Sequence, residues 1–171
     1  MNSKEYIESI KEILTETGST ISIAESVTGG YIQSAFSDAK DATVFFQGGI
    51  TVYNLGQKTK HLGIDPIKGE KYNCVSEDIA VQMAKGSVKL FNSDVAISIT
   101  GYASPVPEEG IDSIYAYGAV VVKELTIGSF ELTSKQKEPE KVKKDYCGQM
   151  IERTFKLLKY HYKNQPGNKQ N

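Results

Sequence analysis

A short apolar run, Ile21–Ser22–Ile23–Ala24, passes through Glu25 and Ser26 into Val27–Thr28–Gly29–Gly30, and a helix-compatible segment starts at Tyr31. Strand, tight turn and helix in that order are how an α/β protein presents a reactive group at the carboxyl edge of its sheet. The two glycines let backbone approach a ligand closely, and the free amides of a helix start suit an anion. A serine at this point can attack a carbonyl, with neighbouring amides holding the oxyanion that forms. The same letters also make an ordinary capped turn, so the rest of the chain must supply the partners such a serine needs.

The flanking pattern alternates. Ser3–Glu16 reads as a helix with Ile7, Ile10 and Leu14 on one face, stopped by Gly18. The first strand is expected over Thr20–Ala24 and its helix over Gly29–Ala39. Phe45–Tyr53 reads as a strand whose Gly48–Gly49 pair marks a bulge or a close backbone approach. Leu55–Leu62 reads as a short helix stopped near Gly63 and Pro66, and Ser76–Phe91 as an amphipathic helix capped by Ser76. Asp94–Thr100 reads as a buried strand, and Tyr102–Asp112 holds too many helix and strand breakers for regular structure. Tyr115–Val122 and Gly128–Thr133 read as a final hairpin, followed by a helix from Glu140 to Tyr162 that turns Val142, Tyr146, Met150, Ile151, Phe155 and Leu158 inward. These elements imply a three-layer α/β/α sandwich with a mixed β-sheet, one domain over residues 1–163, and a polar, disordered tail over 164–171.

Composition narrows the function. With 171 residues, 39% hydrophobic, the chain suits one ordinary core. A net charge of -1 gives nucleic-acid binding no electrostatic support. No apolar run approaches the ~20 residues that span a bilayer, so no membrane partner is expected. Met1–Glu5 lacks the basic-then-apolar pattern of a secretory signal, and a cytoplasmic location is expected. Cys74 and Cys147 read as free thiols, and His61 and His161 have no metal-type spacing, so neither metal nor cofactor is expected.

Three separated segments together resemble the carboxy-terminal domain family of the competence/damage-inducible protein CinA. They are Ala24–Gly30, Phe46–Tyr53 running on to Lys58, and Ala96–Gly101 followed by Ala103 and Pro105. The similarity runs from Ile7 to Leu158. Stand-alone members are nicotinamide mononucleotide amidohydrolases, so the resemblance implies a metal-independent deamidase releasing nicotinic acid mononucleotide and ammonia. It implies Ser26 as nucleophile, with Lys58 and Tyr53 as its catalytic partners. A Ser-Lys pair is an established alternative to a histidine triad, provided the lysine is neutral. Thr28, Gly29 and Gly30 become candidates for an oxyanion or phosphate cradle, and Gly49, Thr100 and Gly101 for further substrate contacts. Glu25 is either a turn acid or a group orienting Lys58. A small-molecule nucleotide substrate and a homo-oligomer are also implied.

The chain departs from that family's pattern where Val27 replaces a cysteine, Leu55 an asparagine and Ser104 a glycine, and where Val106–Pro107–Glu108–Glu109–Gly110 replaces a glycine-rich loop. Lys141, Lys143 and Lys144 stand where arginines are usual. These changes leave two other readings open: a hydrolase of a different small amide, and a non-catalytic nucleotide- or partner-binding module.

Overall fold

The computed structural model describes residues 1–164, and the expected tail beyond Asn164 lies outside the described residues. Helix α1 (Ser3–Glu16) opens with a capping box: Asn2 accepts from the Glu5 N–H, and the Glu5 carboxylate accepts from the Asn2 N–H. Strand β1 (Ile21–Glu25) is buried throughout. Helix α2 (Tyr31–Ser37) is shorter than the sequence suggested, because Gly29 and Gly30 have φ of 62° and 107°, values outside a right-handed helix. Strand β2 (Phe46–Thr51) pairs parallel with β1, and the register slips so that Ser22 faces Gly48 rather than Gln47. The glycine pair therefore marks a bulge, as expected.

Helix α3 (Leu55–Leu62) has the expected limits, with Asn54 as its cap and Gly63 at φ 67° as its stop. A further helix, α4 (Pro66–Lys71), follows where the sequence reading placed only a stop. Pro66 is its first residue, and Asp65 caps it by accepting from the Ile67 and Lys68 amides. Proline begins helices as readily as it ends them. Helix α5 (Glu77–Phe91) and strand β3 (Val95–Gly101) come next. In the breaker-rich loop a 3-10 turn (Pro107–Glu109) and a bridge between Val106 and Ile111 give more order than expected. Strand β5 (Leu125–Thr133) starts three residues before the expected Gly128 and pairs antiparallel with β4 (Tyr115–Val122). Lys123 turns the hairpin at φ 54°, without the Asn-Gly signal that would have announced it. Helix α6 (Pro139–Lys163) closes the fold.

The sheet order is β2-β1-β3-β4-β5, parallel among the first three and antiparallel after, which makes the mixed three-layer sandwich. Alternation along β1 splits its faces. Ile21 and Ile23 join α1, α2 and α6 through Leu14, Phe36, Tyr146 and Ile151. Ala24 turns the other way, toward Leu62 of α3 and Met83 of α5. Small residues bring α5 close: Ala80 and Ala84 pack on Ala96 and Ala119, and the Ser22 hydroxyl bonds those of Ser87 and Ser93 at 2.8 Å. A Cβ on Gly86 would overlap the Leu62 carbonyl, so this glycine fixes how near α3 lies. The chain leaves β1 for one side of the sheet and β3 arrives on the other. That switch of direction opens a crevice at the carboxyl ends of β1, β2 and β3.

Candidate active site

Ser26 follows β1 directly, and its N–H donates to the Ile99 carbonyl of β3 at 3.0 Å, which locks it into the mouth of the crevice. It is 7% exposed. Lys58 comes from the other wall, on the same face of α3 as Leu62 one turn later. Its side chain is 2% exposed. The Nζ donates to the Val52 carbonyl at 3.0 Å and lies 2.9 Å from Ser26 Oγ. Burial pushes the amine below its usual pKa of 10.5, and the nearby Cys74 thiol opposes the shift when ionised. Among the described residues no carboxylate pairs with Lys58. A buried ammonium without a counter-ion is costly, so burial shifts the balance toward the neutral amine, the form that can take the serine's proton.

Glu25 settles where the helix-start donors go. Its fully buried carboxylate accepts from the Thr28 hydroxyl at 2.5 Å and from the Gly30, Ile32 and Gln33 amides at 3.0, 3.2 and 2.7 Å. It is the internal cap of α2, and it does not touch Lys58. The Gly29 N–H closes a turn on the Ser26 carbonyl at 3.1 Å. The Thr28 hydroxyl and the Gly29 and Gly30 amides are therefore engaged within the chain rather than open to a ligand. The Val27 N–H, next after Ser26, has no partner among the described residues.

The crevice is a cleft of about 580 Å³, and Ser26, Lys58, Tyr53, Thr100 and Gly101 all line it. That volume is in the range of small-molecule sites. Tyr53 stands at its mouth, 65% exposed, with no hydrogen bond to Ser26 or Lys58. Thr100 is buried and its hydroxyl donates to the Cys74 carbonyl at 2.7 Å, which ties β3 to the loop before α5. Gly49 lies outside the cleft, beneath the Gln33 side chain, where a Cβ would collide. The sequence reading missed Asn73, Cys74 and Glu70 as lining residues. Asn73 and Cys74 are non-glycine residues at φ 47° and 58°, a conformation that a single sequence does not reveal. Among the described residues no cluster of metal-binding side chains occurs, and no helix is long and apolar enough to cross a membrane.

Comparison with known proteins identifies the family and agrees with the fold. The family model for the CinA C-terminal domain matches residues 3–159. A CinA-like protein of Kosmotoga olearia is 37% identical over 132 residues, covering 71% of this chain and 32% of that protein. One from Fervidobacterium nodosum is 35% identical over 105 residues, covering 61% and 26%. The chain thus spans about a third or less of the length of the curated relatives it matches. Among solved structures, a competence damage-inducible protein A from Klebsiella pneumoniae superposes with a TM-score of 0.87 at 22% identity, covering 94% of this chain and 99% of that one. A competence or damage-inducible protein from Enterobacter asburiae gives 0.86 at 23%, covering 92% and 99%. At such identities these two likenesses speak for the fold.

Proposed function

This chain belongs to the CinA C-terminal domain family, and we propose that it is a serine amidohydrolase that deamidates nicotinamide mononucleotide through Ser26 and Lys58. The observation that carries the proposal is the 2.9 Å approach of a buried, unpaired lysine amine to a serine hydroxyl in an open cleft. In the reaction, neutral Lys58 takes the Ser26 proton as Oγ bonds to the carboxamide carbon. The Val27 N–H is a donor available for the oxyanion, and one such donor contributes on the order of 10²–10³ in rate. The Lys58 ammonium then passes its proton to the amide nitrogen, the C–N bond breaks and ammonia leaves. Water, deprotonated by Lys58, hydrolyses the ester and restores Ser26. The sum is amide plus water to carboxylic acid plus ammonia.

Tyr53, at the mouth, is placed for contact with a bound ring rather than for proton relay in the free protein. Lys143 is a cleft-lining cation without an ion pair among the described residues, and it suits the substrate phosphate. The neighbouring Lys141 and Lys144 are paired with Glu138 and Glu140. The test is ammonia release from nicotinamide mononucleotide by wild type, Ser26→Ala and Lys58→Met. Release by wild type alone is expected, and wild-type turnover by Ser26→Ala would defeat the proposal.

A further inference from the structure

Part of the cleft lining is built from acids and aromatic rings, and hydrogen bonds hold it in place. The Asn73 amide donates both to the Tyr102 hydroxyl, at 3.1 Å, and to the Glu109 carboxylate, at 2.5 Å. The Tyr146 hydroxyl donates to the Tyr102 carbonyl at 3.1 Å, and the Tyr102 ring meets Tyr115 edge-on at 5.4 Å. Tyr102 is therefore fixed from three sides, and Glu109 is fixed to it. Glu70 lies on the same cleft lining. Neither carboxylate has an ion pair among the described residues. Apart from Lys58, which is engaged with Ser26, the lining holds two carboxylates and one further cation, Lys143. Unneutralised carboxylates beside tyrosine faces recognise cations, since both act on positive charge.

From this wall, and resting on the amidohydrolase reading above, we propose that the cleft selects carboxamides that carry a fixed positive charge, and that Glu109 and Glu70 are the residues that read it. Asn73 is a positioning residue, because it holds Glu109 against Tyr102. A cationic substrate has a second consequence. Its charge disfavours protonation of Lys58, so binding reinforces the free amine that catalysis needs.

The test compares nicotinamide mononucleotide, whose ring is cationic, with its reduced dihydropyridine form, whose ring is uncharged. Ring charge also alters the reactivity of the carbonyl, so the readout is the change in the ratio of kcat/KM values between variants. Glu109→Gln is expected to lower the preference for the cation by about three- to fivefold, the range of a partly solvated charge pair. The change should fall in KM rather than kcat. Glu70→Gln should add to it, and Asn73→Ala should act in the same direction, with circular dichroism confirming that each variant is folded. An unchanged ratio in the Glu70→Gln/Glu109→Gln double variant overturns the inference and leaves the hydrolase reading standing. If wild type hydrolyses neither compound, the hydrolase reading falls, and calorimetric binding to Ser26→Ala decides the charge question. Tighter binding of 1-methylnicotinamide than of uncharged nicotinamide, lost in Glu109→Gln, supports selection. Equal binding of the two overturns it.

Discussion

Replacing Lys58 with methionine separates a catalytic lysine from a structural one. Methionine keeps much of the length and apolar stem, and it removes an amine that burial disfavours as a cation. Exchanging buried charge for apolar volume is worth about 1–4 kcal/mol. Against that, the Val52 carbonyl loses the donor at 3.0 Å and Ser26 loses its partner at 2.9 Å, a cost of about 1–3 kcal/mol. The net expectation is a stability between about 2 kcal/mol lower and about 3 kcal/mol higher, a Tm shift within about 10 °C in either direction for a domain of this size. Activity should nevertheless fall by about 10⁴-fold or more, as when the base of a serine hydrolase is removed. The pH dependence has a definite sign. The folded-state pKa of Lys58 lies below the unfolded 10.5, so at low pH the folded protein bears the full penalty of a buried charge. As pH rises from the depressed value to 10.5, the unfolded chain holds the proton that the folded chain has lost, and wild type gains stability relative to Lys58→Met. Thermal unfolding of both proteins across that window, with ammonia release at each pH, is the assay. A variant destabilised by more than about 3 kcal/mol, or one that keeps wild-type turnover, would refute the reasoning.

Other outcomes follow from the same geometry. The pH–rate profile should show an ascending limb with a midpoint below 10.5, reporting the loss of the Lys58 proton, and a limb at the free-lysine value would contradict the burial argument. Glu25→Gln places an NH₂ group among four donors and should cost about 2–4 kcal/mol, read in urea unfolding. Gly86→Ala forces α5 away from the Leu62 carbonyl, and should lower stability by about 1–3 kcal/mol and reduce activity as Lys58 moves with α3.

Local signals carried most of the fold. The periodic apolar faces of α1, α5 and α6, the β-branched runs of β1 and β3, and the paired glycines at the β2 bulge are short-range patterns, and they fall where expected. Elements that depend on position rather than composition were harder. Pro66 starts α4 although it reads as a stop, and Lys123 makes a tight turn without glycine. At the site, Ser26 was legible from its strand–turn–helix setting. Lys58 was not legible from residue type, since lysine is usually exposed, although its place four residues before Leu62 on one helix face was a usable clue. The role of Glu25 in filling the helix-start donors depends on three-dimensional reach, and it removes the phosphate cradle that the glycines suggested. The acidic wall combines Glu70 of α4 with Glu109 of the loop after β3, and the Asn73–Glu109 contact spans 36 residues, which no local pattern encodes.

The central claim is that Lys58 activates Ser26 as a nucleophile. Rapid quenching of wild type with nicotinamide mononucleotide, followed by peptide mass spectrometry, tests it most directly. The account predicts an ester adduct on the peptide containing Ser26, at Ser26 itself, and none in Lys58→Met. Turnover without any adduct on Ser26, or with the adduct on another residue, would contradict it.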